Sequence, residues 1–177
     1  YNTLLHTGPL PSYSNKNEYD SGVSLDIHIV GDPKHSGVMN NLSVKGQGSS
    51  SKGYWKWNQQ YKGNDDTLFV SEDGQTTIKK GYQPDDSVPV AKKLVGKLNW
   101  ASSMQSHKEG GTNMYNDLWK EVVGGNSITK TAGYENCRVA VKEKPFLFFH
   151  RETENDEPVF DGMMTFGPGK ADKPTFW

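Results

Sequence analysis

The sequence predicts an α+β fold, a mostly antiparallel sheet with a few helices, and three observations carry that expectation. Residues 21–30 alternate, with Val23, Leu25, Ile27 and Ile29 on one face and Ser24, Asp26 and His28 on the other, the period of a half-buried strand. Thr112 or Asn113 is placed to cap a helix over residues 112–123, in which Met114, Leu118 and Val122 form one stripe and Tyr115, Trp119 and Val123 the next, with Gly124-Gly125 as the stop. Three further strand-like runs follow, at residues 137–142, 145–150 and 158–166. Strands, then a helical region, then strands again define the α+β class.

In chain order, residues 1–20 show neither period. Gly8-Pro9-Leu10-Pro11 and the polar run behind it predict an extended arm or linker. Gly31-Asp32-Pro33 ends the first strand. A second alternating run at 42–45 leads into the small-residue stretch 46–53, which composition makes a loop. Residues 54–61 return to strand character, dense in Tyr and Trp. Residues 67–70 and 76–79 read as the arms of a hairpin about Ser71-Glu72-Asp73-Gly74, because Asp-Gly between β-prone runs favours a tight turn. Residues 82–89 read as loop, and 90–107 as helical only in part, weakened by Gly96 and Ser102-Ser103. The expected organisation is an arm at 1–20 and one domain at 21–177. The start at Tyr1 without Met and the stop at Phe176-Trp177 suggest a piece of a longer protein.

At 177 residues the chain has the length of one ordinary domain. Its apolar share of 33% and mean hydropathy of -0.79 are low for a compact globule, yet five Trp, eight Tyr and seven Phe supply large burial per residue. We therefore expect a fold whose core is completed by neighbouring chains or domains. Twenty basic and twenty-one acidic side chains leave a net charge of -1, which lacks the cationic field of a protein that binds nucleic acid through phosphates. The single Cys137 excludes an internal disulfide and a multi-cysteine zinc cluster. No run of apolar residues has the length of a membrane-spanning helix.

Several groups carry possible chemistry. Gly46, Gly48, Ser49, Ser50 and Lys52 form a candidate anion loop, since successive backbone N–H groups cradle an anion and Lys52 adds charge. Ser51 and Gly53 break the spelling of a phosphate-binding loop, and the competing reading is a plain connection. The acidic tip at 151–157 lacks the spaced ligands of a calcium loop. The five histidines are scattered singly, with no pair spaced to seed a zinc site. Ser102, Ser103 and Ser106 beside His107 lack the elbow of a serine hydrolase. Trp55 and Trp57 share a face if 54–61 is a strand, either as a sugar-stacking platform or, more simply, as core or subunit-interface packing.

Residues 45–61, Lys-Gly-Gln-Gly-Ser-Ser-Ser-Lys-Gly-Tyr-Trp-Lys-Trp-Asn-Gln-Gln-Tyr, resemble the N-terminal signature of the CotH spore-coat kinase-like family. Residues 97–107 with 113–118 look like the entry to that family's central helices, and 138–141 with 146–149 and 160–166 are similar to its late strand pair. The flavour is that of divergent members in gut Bacteroidota and in virion and tail proteins of crAss-like phages. The resemblance implies a CotH-kinase-like scaffold. For an active kinase it implies ATP and Mg, with Lys56 on the phosphates and Asp117 and Asp161 on the metal. The family's Asp-x-Ser-x-x-Arg-Asn element has no counterpart in residues 100–107, which hold no carboxylate and no arginine. Phosphoryl transfer without that charge neutralisation is disfavoured.

The resulting expectation is a structural module of a phage virion, in the tail or its closing assembly, made in the host cytoplasm and working as an oligomer with other virion chains. No cofactor or metal is expected. Trp55, Trp57, Trp119 and Trp177 are its interface anchors. The alternatives are an ATP- and Mg-dependent kinase and a glycan-binding adhesin that meets bacterial surface polysaccharide.

Overall fold

The computed structural model describes residues 1–11, 18–47, 57–86, 90–98, 114 and 144–168. These form β1 (Thr3–Thr7), β2 (Asp20–His28), β3 (Gly37–Gln47), β4 (Asn58–Ser71), β5 (Thr77–Lys79), β6 (Lys93–Leu98), β7 (Lys144–Arg151) and β8 (Val159–Pro168). The strands hydrogen-bond in the order β3-β2-β1-β7-β8-β6-β4, and a direct β3–β4 pairing closes the ring into a seven-stranded barrel, with β5 appended to β4. Every pairing is antiparallel except β1 with β7. Closure leaves no long backbone edge to template another strand.

The α+β expectation, with its CotH-kinase-like scaffold, is therefore corrected: among the described residues the fold is an almost entirely antiparallel β-barrel. Part of the reason lies in residues 90–98, expected to be partly helical. Lys93–Leu98 is a strand, and Gly96 packs under Met164 so closely that a built Cβ would lie 2.3 Å from its Sδ. What reads as a helix-weakening glycine is a close-approach site in the barrel wall. The expected strand at 137–142 lies outside the described residues, as does the expected helix at 112–123 apart from the exposed Met114. Residues 3–7, within the expected arm, are strand β1, seated between β2 and β7. Its alternation is Leu4 and His6 inward against Thr3, Leu5 and Thr7 outward. A histidine in an apolar slot and two adjacent leucines hide that period.

The hairpin expected around residues 71–74 forms, with Leu68, Phe69 and Val70 opposite Lys79, Ile78 and Thr77. In β2 the expected face, Val23, Leu25 and Ile27, points into the core. In β3 a bulge at Asn41, which adopts φ 59, restores Leu42 and Val44 to the interior. The Asn41 carbonyl accepts from Thr67 Oγ1 at 2.6 Å and Asn64 Nδ2 at 2.9 Å, which fixes the kink. The barrel is filled by rings in tilted and edge-to-face contact. Phe166 meets Tyr61, Phe146 and Tyr82 at centroid distances of 6.0, 5.9 and 6.2 Å, and Phe69 meets Tyr82 at 5.1 Å. A low apolar share suffices because aromatic side chains occupy so much of the interior.

Candidate functional site

Two polar clusters, one inside the barrel and one at its end, are wired into the fold. In the first, His6 is fully buried and directly opposite His150 in the parallel β1–β7 register. Its Nε2 donates to the Pro9 carbonyl at 3.1 Å, since a carbonyl can only accept, and its Nδ1 lies 3.0 Å from the Tyr61 hydroxyl. The Tyr61 hydroxyl also meets the Gln59 side-chain amide. Burial lowers the His6 pKa from 6.5 to about 4, against a smaller rise from the carbonyls of Pro9 and Gly8, so the ring is neutral at ordinary pH. Beside it His150 Nδ1 lies 3.2 Å from Asp161 Oδ2, off the line of a hydrogen bond. Asp161 is the extra residue of a β8 bulge, where Phe148 faces Gly162 and Phe149 faces Phe160. Gly162 takes the turn at φ +121, which a side chain would resist.

The second cluster ties down one end of the barrel. In the β2–β3 connection His35 Nδ1 lies 2.8 Å from Asp32 Oδ1, and its Nε2 lies 3.3 Å from Asp86 Oδ1. The Tyr82 hydroxyl donates to the His35 carbonyl at 2.6 Å, and Lys144 Nζ donates to the Pro84 carbonyl at 2.9 Å. Ser36 Oγ donates to the Asp32 carbonyl, and the Glu72 amide donates to the Ser36 carbonyl at 2.7 Å, joining this turn to the β4–β5 turn. These contacts brace the β2–β3 connection internally and tie it to the residue 82–86 segment and the β4–β5 turn, with Lys144 of β7 joined to that segment as well, which is a structural task.

The outer wall is different. The strand registers place Phe160 opposite Phe149, Phe149 opposite Leu5, Leu5 opposite Asp26, Asp26 opposite Val38 and Val38 opposite Val70. One lateral row thus crosses six strands with five apolar side chains and one carboxylate. Val38 and Val70 are 40% exposed and Phe160 55%. Along this row runs an open groove of about 860 Å³, lined also by Thr3, His28, Glu72 and Pro158. Glu72 Oε2 lies 3.7 Å from His28 Nδ1. Asp26 has no hydrogen bond or ion pair among the described residues, and partial burial raises its pKa above the usual carboxylate value, with His28 opposing. A groove of this make-up offers apolar contact and a seat for a cation.

Of the residues singled out in the sequence, Gly46 is buried in β3 under the ring of Trp57, whose Cε3 would lie 2.5 Å from a built Cβ, and Trp57 is 5% exposed. Asp161 faces His150 as described. Gly48, Ser49, Ser50, Lys52, Trp55, Lys56, Asp117, Trp119 and Trp177 lie outside the described residues. No group of three or more metal-ligating side chains is assembled among the described residues. The groove residues were not singled out, because Asp26 and His28 read as the solvated face of β2. Only the register reveals that Asp26 lies between Leu5 and Val38. No family model, curated protein or solved structure matches the chain.

Proposed function

We propose that this chain is a structural docking module of a larger assembly, held to its neighbour through the outer wall of the barrel. The observation that carries the reading is the row Phe160, Phe149, Leu5, Val38 and Val70, five apolar side chains aligned by backbone register on an outer face. Contiguous exposed apolar surface of this kind marks an interaction site on a soluble domain. A closed barrel also favours contact by side chains, because its backbone donors and acceptors are used within the ring. The resemblance of residues 47–51 and 166–170 to virion and tail proteins of crAss-like phages is the reason for reading that assembly as a virion, in which the module would sit among other structural chains.

Peptide mass spectrometry of purified particles, paired with a Val38→Lys, Val70→Lys double variant, tests this. The wild-type chain is expected in particles at fixed stoichiometry, and the variant is expected to fold normally yet be lost from them. Absence of the chain from particles, or undiminished incorporation of the variant, refutes the proposal.

A further inference from the structure

The groove has a pattern that narrows what it holds, an inference resting on the docking reading above. Following the curve of the barrel wall from Phe149 to Val70, the row covers four strand spacings of about 4.8 Å, an arc of roughly 19 Å, which an extended chain bent along the wall covers with five or six residues at about 3.3 Å each. The groove is open along its length, with about 860 Å³ of space over the row, which suits a segment laid across the wall. Asp26 is the third of those five positions, with Leu5 and Phe149 on one side and Val38 and Val70 on the other. Glu72 adds a second carboxylate to the lining, opposed by His28. Arg151, a permanent cation whose charge acts on Asp26, also makes hydrogen bonds of its own: its Nε donates to Thr7 Oγ1 at 3.0 Å and its NH1 to the Glu154 carbonyl at 2.9 Å. The wall therefore presents apolar, apolar, anion, apolar, apolar.

We infer that the groove seats an extended segment of a partner chain in which one lysine or arginine is flanked on both sides by apolar side chains, the cation meeting Asp26 and the flanks lying on Leu5, Phe149, Val38 and Val70. The complement explains a carboxylate that has no hydrogen bond among the described residues in the middle of an apolar row. An acidic segment is repelled by two carboxylates, and a purely apolar one leaves Asp26 desolvated without compensation.

The test uses fluorescein-labelled, end-blocked peptides with two valine or leucine residues on each side of a central lysine, and the same peptides with central norleucine or glutamate. Fluorescence anisotropy with the full chain is expected to show the lysine peptide binding roughly five- to tenfold tighter than the norleucine peptide at low salt, and the glutamate peptide weaker than either. High salt and, separately, Asp26→Asn are each expected to shrink the lysine preference to about twofold or less. Equal binding of the lysine and norleucine peptides overturns the cation assignment while leaving an apolar docking face. If no peptide binds but the Val38→Lys, Val70→Lys variant is still lost from particles, the extended-segment inference falls and the docking module stands. Lysine-selective binding abolished by Asp26→Asn, with particles that do not contain the chain, supports the groove chemistry and removes the virion role instead.

Discussion

The two faces of β1 and β2 are built from the same two short strands and treat their residues in opposite ways. Inward, Leu4, Leu25 and Ile27 are fully buried in one core cluster, and the polar His6 has a polar neighbour at each ring nitrogen. Outward, Leu5 and Asp26 stand side by side in the groove, the first only half-buried and the second with no hydrogen bond among the described residues. A closed barrel satisfies its backbone groups and packs its apolar interior because each strand meets two neighbours and the packed rings across the bore. Its exterior is under no such demand, so unmet apolar surface and an unmatched charge there point to recognition rather than to stability.

The contrast is broken most directly by truncating one phenylalanine from each face. Phe166→Ala empties the centre of the bore, where Tyr61, Tyr82 and Phe146 converge, and is expected to cost about 3–5 kcal/mol in urea denaturation. Phe160→Ala removes an equally large ring that is 55% exposed at the end of the outer row, and is expected to cost less than about 1 kcal/mol. Similar losses from the two variants would mean that the outer row is part of the folding core.

Acid sharpens the same comparison. The His6 pKa falls from 6.5 in the unfolded chain to about 4 in the barrel, so between those values the unfolded state binds the additional proton. The stability linked to His6 is therefore complete above pH 6.5 and is lost as pH falls toward about 4, a total of roughly 3 kcal/mol at 1.36 kcal/mol per unit. A His6→Gln variant should lie lower at neutral pH but show a flatter profile across that window in pH-dependent denaturation. Parallel profiles would mean that the ring is not held neutral by burial. Next in size is Tyr82→Phe, which leaves the buried His35 carbonyl without its 2.6 Å donor and is expected to cost about 1–2 kcal/mol, read from the same denaturation curves.

Residues 23–30, the Asp73-Gly74 hairpin and the two late strands are legible because their periods and turn residues are local facts. The class is not. Residues 93–98 hold Leu94, Val95 and Leu98 about a glycine, a spacing that serves helix and strand alike, and only the partner side chain Met164 decides. β1 escapes because it is five residues long, carries a histidine inward, and owes its place to a parallel partner more than 140 positions away. The groove is less legible still. Its row joins residues from six strands, and each member alone looks like an ordinary exposed valine, leucine or aspartate. The dense tryptophans drew attention in the sequence, yet Trp57 turns out to roof Gly46.

The smallest expected effect is the most discriminating. Asp26 has a carboxyl whose pKa is raised in the folded chain, chiefly by burial, so above that pKa the folded state carries a charge that the unfolded state accommodates more easily. Its ionisation thus opposes folding slightly, and stability from this group is gained as pH falls through the raised folded value and is complete below the unfolded one. Asp26→Asn keeps the shape and removes the charge, so it should leave the denaturation midpoint unchanged or raise stability by a few tenths of a kcal/mol, because the side chain is largely exposed and well screened. A residue kept for stability would behave otherwise: its removal would lower the midpoint by about 1 kcal/mol or more. A loss of that size would assign Asp26 a partner within the fold and would turn the outer wall into a second structural face like the inner one.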